Sequence, residues 1–189
     1  MPDRVRHLVA PELPAALGAD RAAAVLARLQ AGGILAGVES ACLPEAAAGY
    51  APGPHCAQAL AEPRDARAVE RLQRLAVNGV LVRSGRMVYH GSALGSAGCP
   101  HCGKPLAIAG DPRWFDAVEQ WLLIGEDADE GLLLCTGCTL LAPVTSWPCE
   151  PAVGFGCLGL SFWNWPPLAP EFVAGLEALI GAPLIEVGD

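Results

Sequence analysis

The sequence runs out of positive charge early. After Arg113 it holds no Lys, Arg or His, whereas 11 Asp and Glu follow. A surface of that sign repels phosphate backbones, so direct nucleic-acid binding by residues 114–189 is disfavoured. Long apolar runs are missing too. No stretch reaches the ~18–20 residues that a bilayer span requires, and no membrane association is expected. The start, MPDRVRHLVAPELP, lacks an apolar core of signal-peptide length, and a cytoplasmic protein is expected. Lysine is nearly absent, with Lys104 alone against 11 Arg, a compositional bias from which no chemistry follows.

What is present suits one domain, or one domain carrying a small inserted module, in 189 residues. A hydrophobic content of 52% and a mean hydropathy of +0.36 supply apolar surface for a core and exclude a disordered acidic chain. The 22 Gly and 17 Pro predict many short elements rather than a helical bundle. Charge is uneven: residues 1–113 hold all 12 Lys and Arg against 9 acids. All five Trp and all four Phe lie between Trp114 and Phe172. Either the two halves pack and their fields partly cancel, or the second half offers an acidic, aromatic surface suited to a basic partner.

Periodicity predicts a first strand at His7–Ala10 and a helix from Asp20 with Val25, Leu26 and Leu29 inward. Ile34–Val38 reads as a buried strand, and the Pro-, Ala- and Gly-rich stretch from Ala41 to Pro63 as loop. A second helix from Asp65 carries Val69, Leu72 and Leu75 inward; its Arg67, Arg71 and Arg74 read as solvated surface. Val80–Arg83 and Arg86–His90 flank Ser84–Gly85 as a hairpin would. Gly91–Gly98 reads as a linker. Asp111–Pro112 opens a third helix with Phe115, Val118 and Leu122 on its apolar face, Trp114 and Trp121 beside it. Glu126, Asp127, Asp129 and Glu130 form a solvated acidic turn. A strand at Gly156–Trp163, a helix over Pro170–Ile180 and a strand at Leu184–Val187 close the chain.

One motif carries chemistry. Cys99-Pro100-His101-Cys102-Gly103 and Cys135-Thr136-Gly137-Cys138 are two CxxC knuckles. Two intervening residues let both sulfurs of a knuckle face one ion and leave backbone N–H groups to bond the thiolates. Two knuckles supply four soft ligands, which suits one tetrahedral Zn²⁺ held by Cys99, Cys102, Cys135 and Cys138. Four protein ligands leave no position for water, so the site is expected to be structural. His101, inside the first knuckle, is read as a supporting or exposed group. Redox or merely buried thiols are the alternative.

Gly98 to Lys104 formally spells the phosphate-loop pattern GxxxxGK. Pro105 stands where Ser or Thr must hold Mg²⁺, and the internal residues are the knuckle itself, so no nucleotide site is expected. Cys42, Cys56, Cys149 and Cys157 are read as packed or loop thiols, the last two flanking a Gly-rich turn. The adjacent His55–Cys56 is not read as a catalytic pair.

A second signature runs from Val153 through Phe162-Trp163-Asn164-Trp165-Pro166-Pro167 to Leu168. Trp163 is expected in the core. Trp165 is expected to keep an exposed edge and, with Asn164 and Pro166, to be the candidate partner contact. Asn164 is expected to bond the Pro166–Pro167 turn. Residues Cys99 to Val187 resemble a group of bacterial zinc-ribbon proteins in which CPxC, a Trp-bearing helix, CxxC and a Gly-Phe-Gly stretch running into FWNWPPL follow in that order. The resemblance implies a zinc-bearing cytoplasmic protein and carries no activity with it; residues 1–90 have no part in it.

The fold expected is α+β: two strand–helix–strand halves forming one sheet, with an inserted zinc ribbon and a split β-α-β arrangement. The N-terminal half spans 1–90, the ribbon 91–147 and the C-terminal half 148–189. The function expected is a non-enzymatic, zinc-stabilised protein-interaction module of adaptor or toxin-neutralising kind, with a basic protein as partner. The alternatives are a small enzyme with a pocket between sheet and ribbon, and a nucleic-acid-binding ribbon using the arginines of the second helix.

Overall fold

A computed structural model describes residues 3–123 and 130–188. The acidic turn expected at Glu126, Asp127 and Asp129 lies outside them; Glu130 is described and exposed. The elements begin with β1 (Val5–Val9), α1 (Ala15–Ala31), β2 (Ser40–Ala41), β3 (Ala48–Gly49), α2 (Ala66–Arg74) and β4 (Val80–His90). Then follow β5 (Ser96–Gly98), β6 (Pro105–Ala107), α3 (Pro112–Leu122), β7 (Leu132–Leu134), β8 (Leu141–Pro143) and β9 (Cys149–Glu150). The chain closes with β10 (Val153–Trp163), α4 (Pro170–Ile180) and β11 (Ile185–Gly188).

The main sheet is antiparallel throughout, in the order β11-β1-β10-β4. Because β1 and β4 both oppose β10, they run parallel to each other, joined through α1 and α2. By the same argument β10 and β11 run parallel across β1, joined through α4. The α+β class is as expected, and two split β-α-β units interleave. Residues 91–152, with β5 to β9 and α3, enter the sequence between the edge strand β4 and the central strand β10.

Helices cover one face of the sheet. Leu8 of β1, Val80 of β4 and Leu158, Leu160 and Phe162 of β10 pack there against Val25 and Leu29 of α1 and Leu176 and Ile180 of α4. Gly18 lets α1 approach β10 closely, since a Cβ there would stand 2.7 Å from the Cys157 carbonyl oxygen. The residues at Cys99 to Trp147 build a second core of Trp114, Trp121, Leu133, Val144 and Trp147, which Phe155 of β10 enters. On the helix-free face, Val9, Tyr89 and Val187 form a third, smaller cluster.

Several local expectations change. Helix α1 starts at Ala15, after Pro14 with ψ 138°, and Asp20 lies exposed inside it. Pro14 ends the preceding backbone and the Ala-rich start needs no capping side chain, so no polar signal marks it. Ile34–Val38 is not a strand: Leu35 makes a single bridge to Pro52, which cannot donate to extend a ladder, and Val38 is 74% exposed. The Ala41–Pro63 stretch is not all loop, since β2 pairs with β3 there. The presumed linker before the first knuckle contains β5, which pairs with β6 and β9.

The hairpin at Ser84–Gly85 does not form. β4 runs straight through it, and between the pairs Leu158↔Ser84 and Gly156↔Met87 two residues, Gly85 and Arg86, oppose Cys157 alone. Gly85 takes φ +100°, so its conformational freedom serves a bulge and not a turn. In α3 the buried stripe is Trp114, Ala117 and Trp121, one residue out of phase with the expected one; Phe115 and Leu122 are exposed. Both stripes satisfy helical spacing. The indoles prevail because they have the larger apolar area to bury, and both meet Phe155 edge-on at 6.2 and 5.2 Å.

Candidate metal centre

Each knuckle is a tight hairpin closed by its own backbone. The Cys99 N–H donates to the Lys104 carbonyl, and the Cys135 N–H to the Leu140 carbonyl, both at 3.0 Å. Inside each turn the fourth residue after the first cysteine bonds back: Gly103 N–H to Cys99 O and Thr139 N–H to Cys135 O, both 2.9 Å. Both residues need a left-handed backbone, with φ +72° at Gly103 and +58° at Thr139. The amides also serve the sulfurs. His101 N–H points at Cys99 Sγ at 3.4 Å and Gly137 N–H at Cys135 Sγ at 3.3 Å. Such donors stabilise thiolate charge.

The two hairpins face each other and bring all four sulfurs within 4.8 Å of one another. Cys99 Sγ lies 3.8 Å from Cys138 Sγ, and Cys102 Sγ 3.7 Å from Cys135 Sγ. A tetrahedron with metal–sulfur bonds of about 2.3 Å has edges of about 3.8 Å, so the donor set fits one such ion. Electrostatics agree. The Cys138 and Gly137 N–H groups pull the Cys135 thiol down to about 6. Cys138 is pushed up to about 11: the Leu140 N–H favours its thiolate, but burial and the thiols of Cys135, Cys102 and Cys99 outweigh it. Four sulfurs this close cannot all ionise without a cation among them.

His101 is exposed, with Nε2 3.3 Å from the Leu141 carbonyl oxygen, a support to the second hairpin rather than a ligand. The phosphate-loop mimic is the first knuckle, as its internal cysteines require. Cys42, Cys56 and Cys157 are buried, and Cys149 is half-buried. Burial raises Cys56 and Cys157 and takes Cys149 to about 11. Cys149 and Cys157 stand on β9 and β10, not at the ends of a turn. Arg67, Arg71 and Arg74 are exposed on α2, and Arg74 pairs with Glu70 at 2.6 Å.

The aromatic segment is arranged opposite to expectation. Trp165 is 7% exposed, packs edge-on against Phe162 at 5.3 Å, and donates Nε1–H to the Asn78 carbonyl at 2.8 Å. Trp163 is half-buried on the helix-free face. The reason lies between them. Asn164 adopts φ +58°, which ends the strand and breaks the two-residue alternation that would have put both indoles on one side. Asn164 does not bond the proline turn. Its N–H and Oδ1 pair with the backbone of Arg4, and Nδ2 donates to Asp3 Oδ1 and to the Val77 carbonyl. Pro166 is half-buried beside it. The exposed edge expected of Trp165 is therefore not there.

Two features had no sequence signal. One is the outward face of the second hairpin: Leu132, Leu134 and Leu141 are 41 to 55% exposed, while Leu133 and Ala142 point into the core. In a run that is apolar at every position, alternation leaves no trace. The other is a cavity of about 400 Å³ on the helix-free face, assembled from three distant segments. No helix among the described residues is long and apolar enough to cross a membrane. No family model matches the chain, and neither a curated protein nor a solved structure does. Of what the resemblance implied, the structure shows a four-cysteine cluster that could hold a metal, and no family is assigned.

Proposed function

We propose that the chain is a non-enzymatic protein-interaction module whose ribbon is held together by one structural Zn²⁺ on Cys99, Cys102, Cys135 and Cys138. Zinc is the ion favoured by four thiolates in tetrahedral disposition. Bound there, it supplies cross-linking of the two hairpins and no open coordination position.

The observation that carries the interaction reading is the apolar skin of this ribbon. Leu132, Leu134 and Leu141, with Leu140 at 50% exposure, cover the outer side of the second hairpin. Phe115 and Leu122 are exposed on α3, with Glu119 between them on the same stripe. Contiguous apolar surface rimmed by polar groups marks docking sites on soluble proteins. The excess of acids after residue 113 favours a basic partner. This surface replaces Trp165 as the candidate contact.

The test compares proteins retained from native extract by the wild type and by Leu134→Ser/Leu141→Ser, both checked for zinc and thermal stability. Loss of a specific protein from the variant, with zinc content unchanged, is the expected result. Identical retained proteins on both would overturn the assignment of the ribbon face.

A further inference from the structure

The cavity on the helix-free face is walled by three segments that the fold brings together. The start of β1 contributes Asp3, Val5 and His7, the end of β10 contributes Trp163, and the end of β4 contributes Tyr89 and His90. These walls meet because β4 and β10 bend at their bulge. The Tyr89 ring lies over Gly159, where any Cβ would collide with it. Gly154, beyond the bulge, sits within contact range of Val9 and Val187.

The chemistry of the walls is unlike the rest of this face. Val9 and Val187 make it apolar further in. At the cavity, by contrast, His7 and Ser161 are both more than nine-tenths buried and share a hydrogen bond of 2.8 Å between Nδ1 and Oγ. The His7 ring leans on Tyr89 at 5.2 Å between centroids. The half-buried indole of Trp163 also lines the cavity. Asp3 is the one Asp, Glu, Lys or Arg among the described lining residues. Its Oδ1 accepts from Asn164 Nδ2 at 2.8 Å, a bond that does not use Oδ2 and that holds the group in place.

Flat aromatic walls, a buried imidazole and one anchored carboxylate select against anions and against flexible aliphatic chains. A volume of about 400 Å³ falls in the range of about 300–1,000 Å³ typical of small-molecule sites. We propose that this cavity binds a small planar heteroaromatic molecule bearing N–H donors, neutral or singly cationic, stacked on Trp163 and hydrogen-bonded to Asp3. The site is separate from the cysteine cluster and from the ribbon's leucine face, and it stands whether or not that face docks a protein.

The probe is 2-aminobenzimidazole, whose paired N–H groups match a carboxylate and whose ring matches an indole. Titration into the full-length, zinc-loaded protein, followed by chemical-shift changes, is expected to give saturable millimolar binding. Asp3→Asn, which keeps the shape and the bond to Asn164, is expected to weaken it by about tenfold or more. Trp163→Ala is expected to do the same, and Leu134→Ser to leave it unchanged. Benzoate, similar in size but anionic, is expected not to bind. Absence of saturable binding, undiminished binding in Asp3→Asn, or benzoate binding as tightly would each overturn the proposal. Asp3→Asn decides alone if Trp163→Ala does not fold.

Discussion

Replacing Trp165 by Ala empties the site where the loop after β10 locks into the main core. The indole is almost wholly buried among Phe162 and the other side chains of the helix-side core. Emptying a large aromatic site costs about 3–5 kcal/mol. The Asn78 carbonyl also loses its 2.8 Å donor, and Asn78 is itself buried. An unmade buried hydrogen bond costs about 1–3 kcal/mol. The two overlap, because collapse around the hole relieves part of both, so about 4–5 kcal/mol is expected. That is about a quarter or more of the stability of a typical domain.

Trp163→Ala is the internal control, because it lies two residues away and removes the same atoms. Its ring borders an open cavity, and its backbone N–H bond to Gly79 survives truncation. A cost of about 1 kcal/mol is expected, as for a partly exposed residue with no buried partner. Urea unfolding followed by far-ultraviolet circular dichroism reads both variants, because the fluorophore itself is being changed. The slope should stay constant while the midpoint moves. Equal costs for the two variants, or a Trp165→Ala cost under about 1 kcal/mol, would refute the reasoning that Asn164 turns the two indoles to opposite sides of the sheet.

Three further outcomes are expected. Metal analysis should find about one zinc per chain, and Cys135→Ser should lose it together with several degrees of thermal midpoint, since structural zinc contributes ~10 kcal/mol or more of apparent binding energy in small sites. Thr139→Gly should raise stability by about 0.5–1 kcal/mol in urea unfolding, because Thr139 holds φ +58° where the first knuckle has Gly103. Tyr89 titrates at about 12 because burial disfavours its phenolate, against the pull of Arg83. Its contribution is therefore complete below the ordinary value near 10 and is lost as pH rises toward 12. Tyr89→Phe should flatten that alkaline loss. It should also leave neutral-pH stability unchanged or higher, because the Tyr89 hydroxyl finds no hydrogen-bond partner among the described residues.

The parts of this molecule that were legible in its sequence are those set by local chemistry. The knuckles declare themselves because ligand spacing is covalent, and Asp65 and Asp111 mark their helices because capping acts over three residues. Gly181 stops α4 by the same local logic, with φ +79°. What was not legible depends on which of two locally equivalent choices tertiary packing selects. Gly85 suits a turn or a bulge, and the distinction rests on Cys157, 72 positions away in sequence. The two stripes of α3 are both helical, and Phe155 decides between them. Trp163 and Trp165 read as one face until Asn164 is seen bonding to Arg4 at the other end of the chain.

One strand links the four-cysteine cluster to the rest of the fold. Before the bulge, Phe155 of β10 belongs to the ribbon core, wedged edge-on between Trp114 and Trp121 of α3. After it, Leu158, Leu160 and Phe162 belong to the core beneath α1 and α4. The bulge, where Gly85 and Arg86 of β4 oppose Cys157, marks the boundary between the two cores. Arg86, one of the two bulged residues, reinforces the junction: its guanidinium lies 5.4 Å from the Trp121 ring and donates to the Trp121 carbonyl at 2.7 Å. A loosened ribbon therefore withdraws support from a strand that is central to the main sheet. Metal loss should be felt on the far side of the bulge as faster amide exchange at Leu158 and Leu160, beyond the ribbon that the cysteines close.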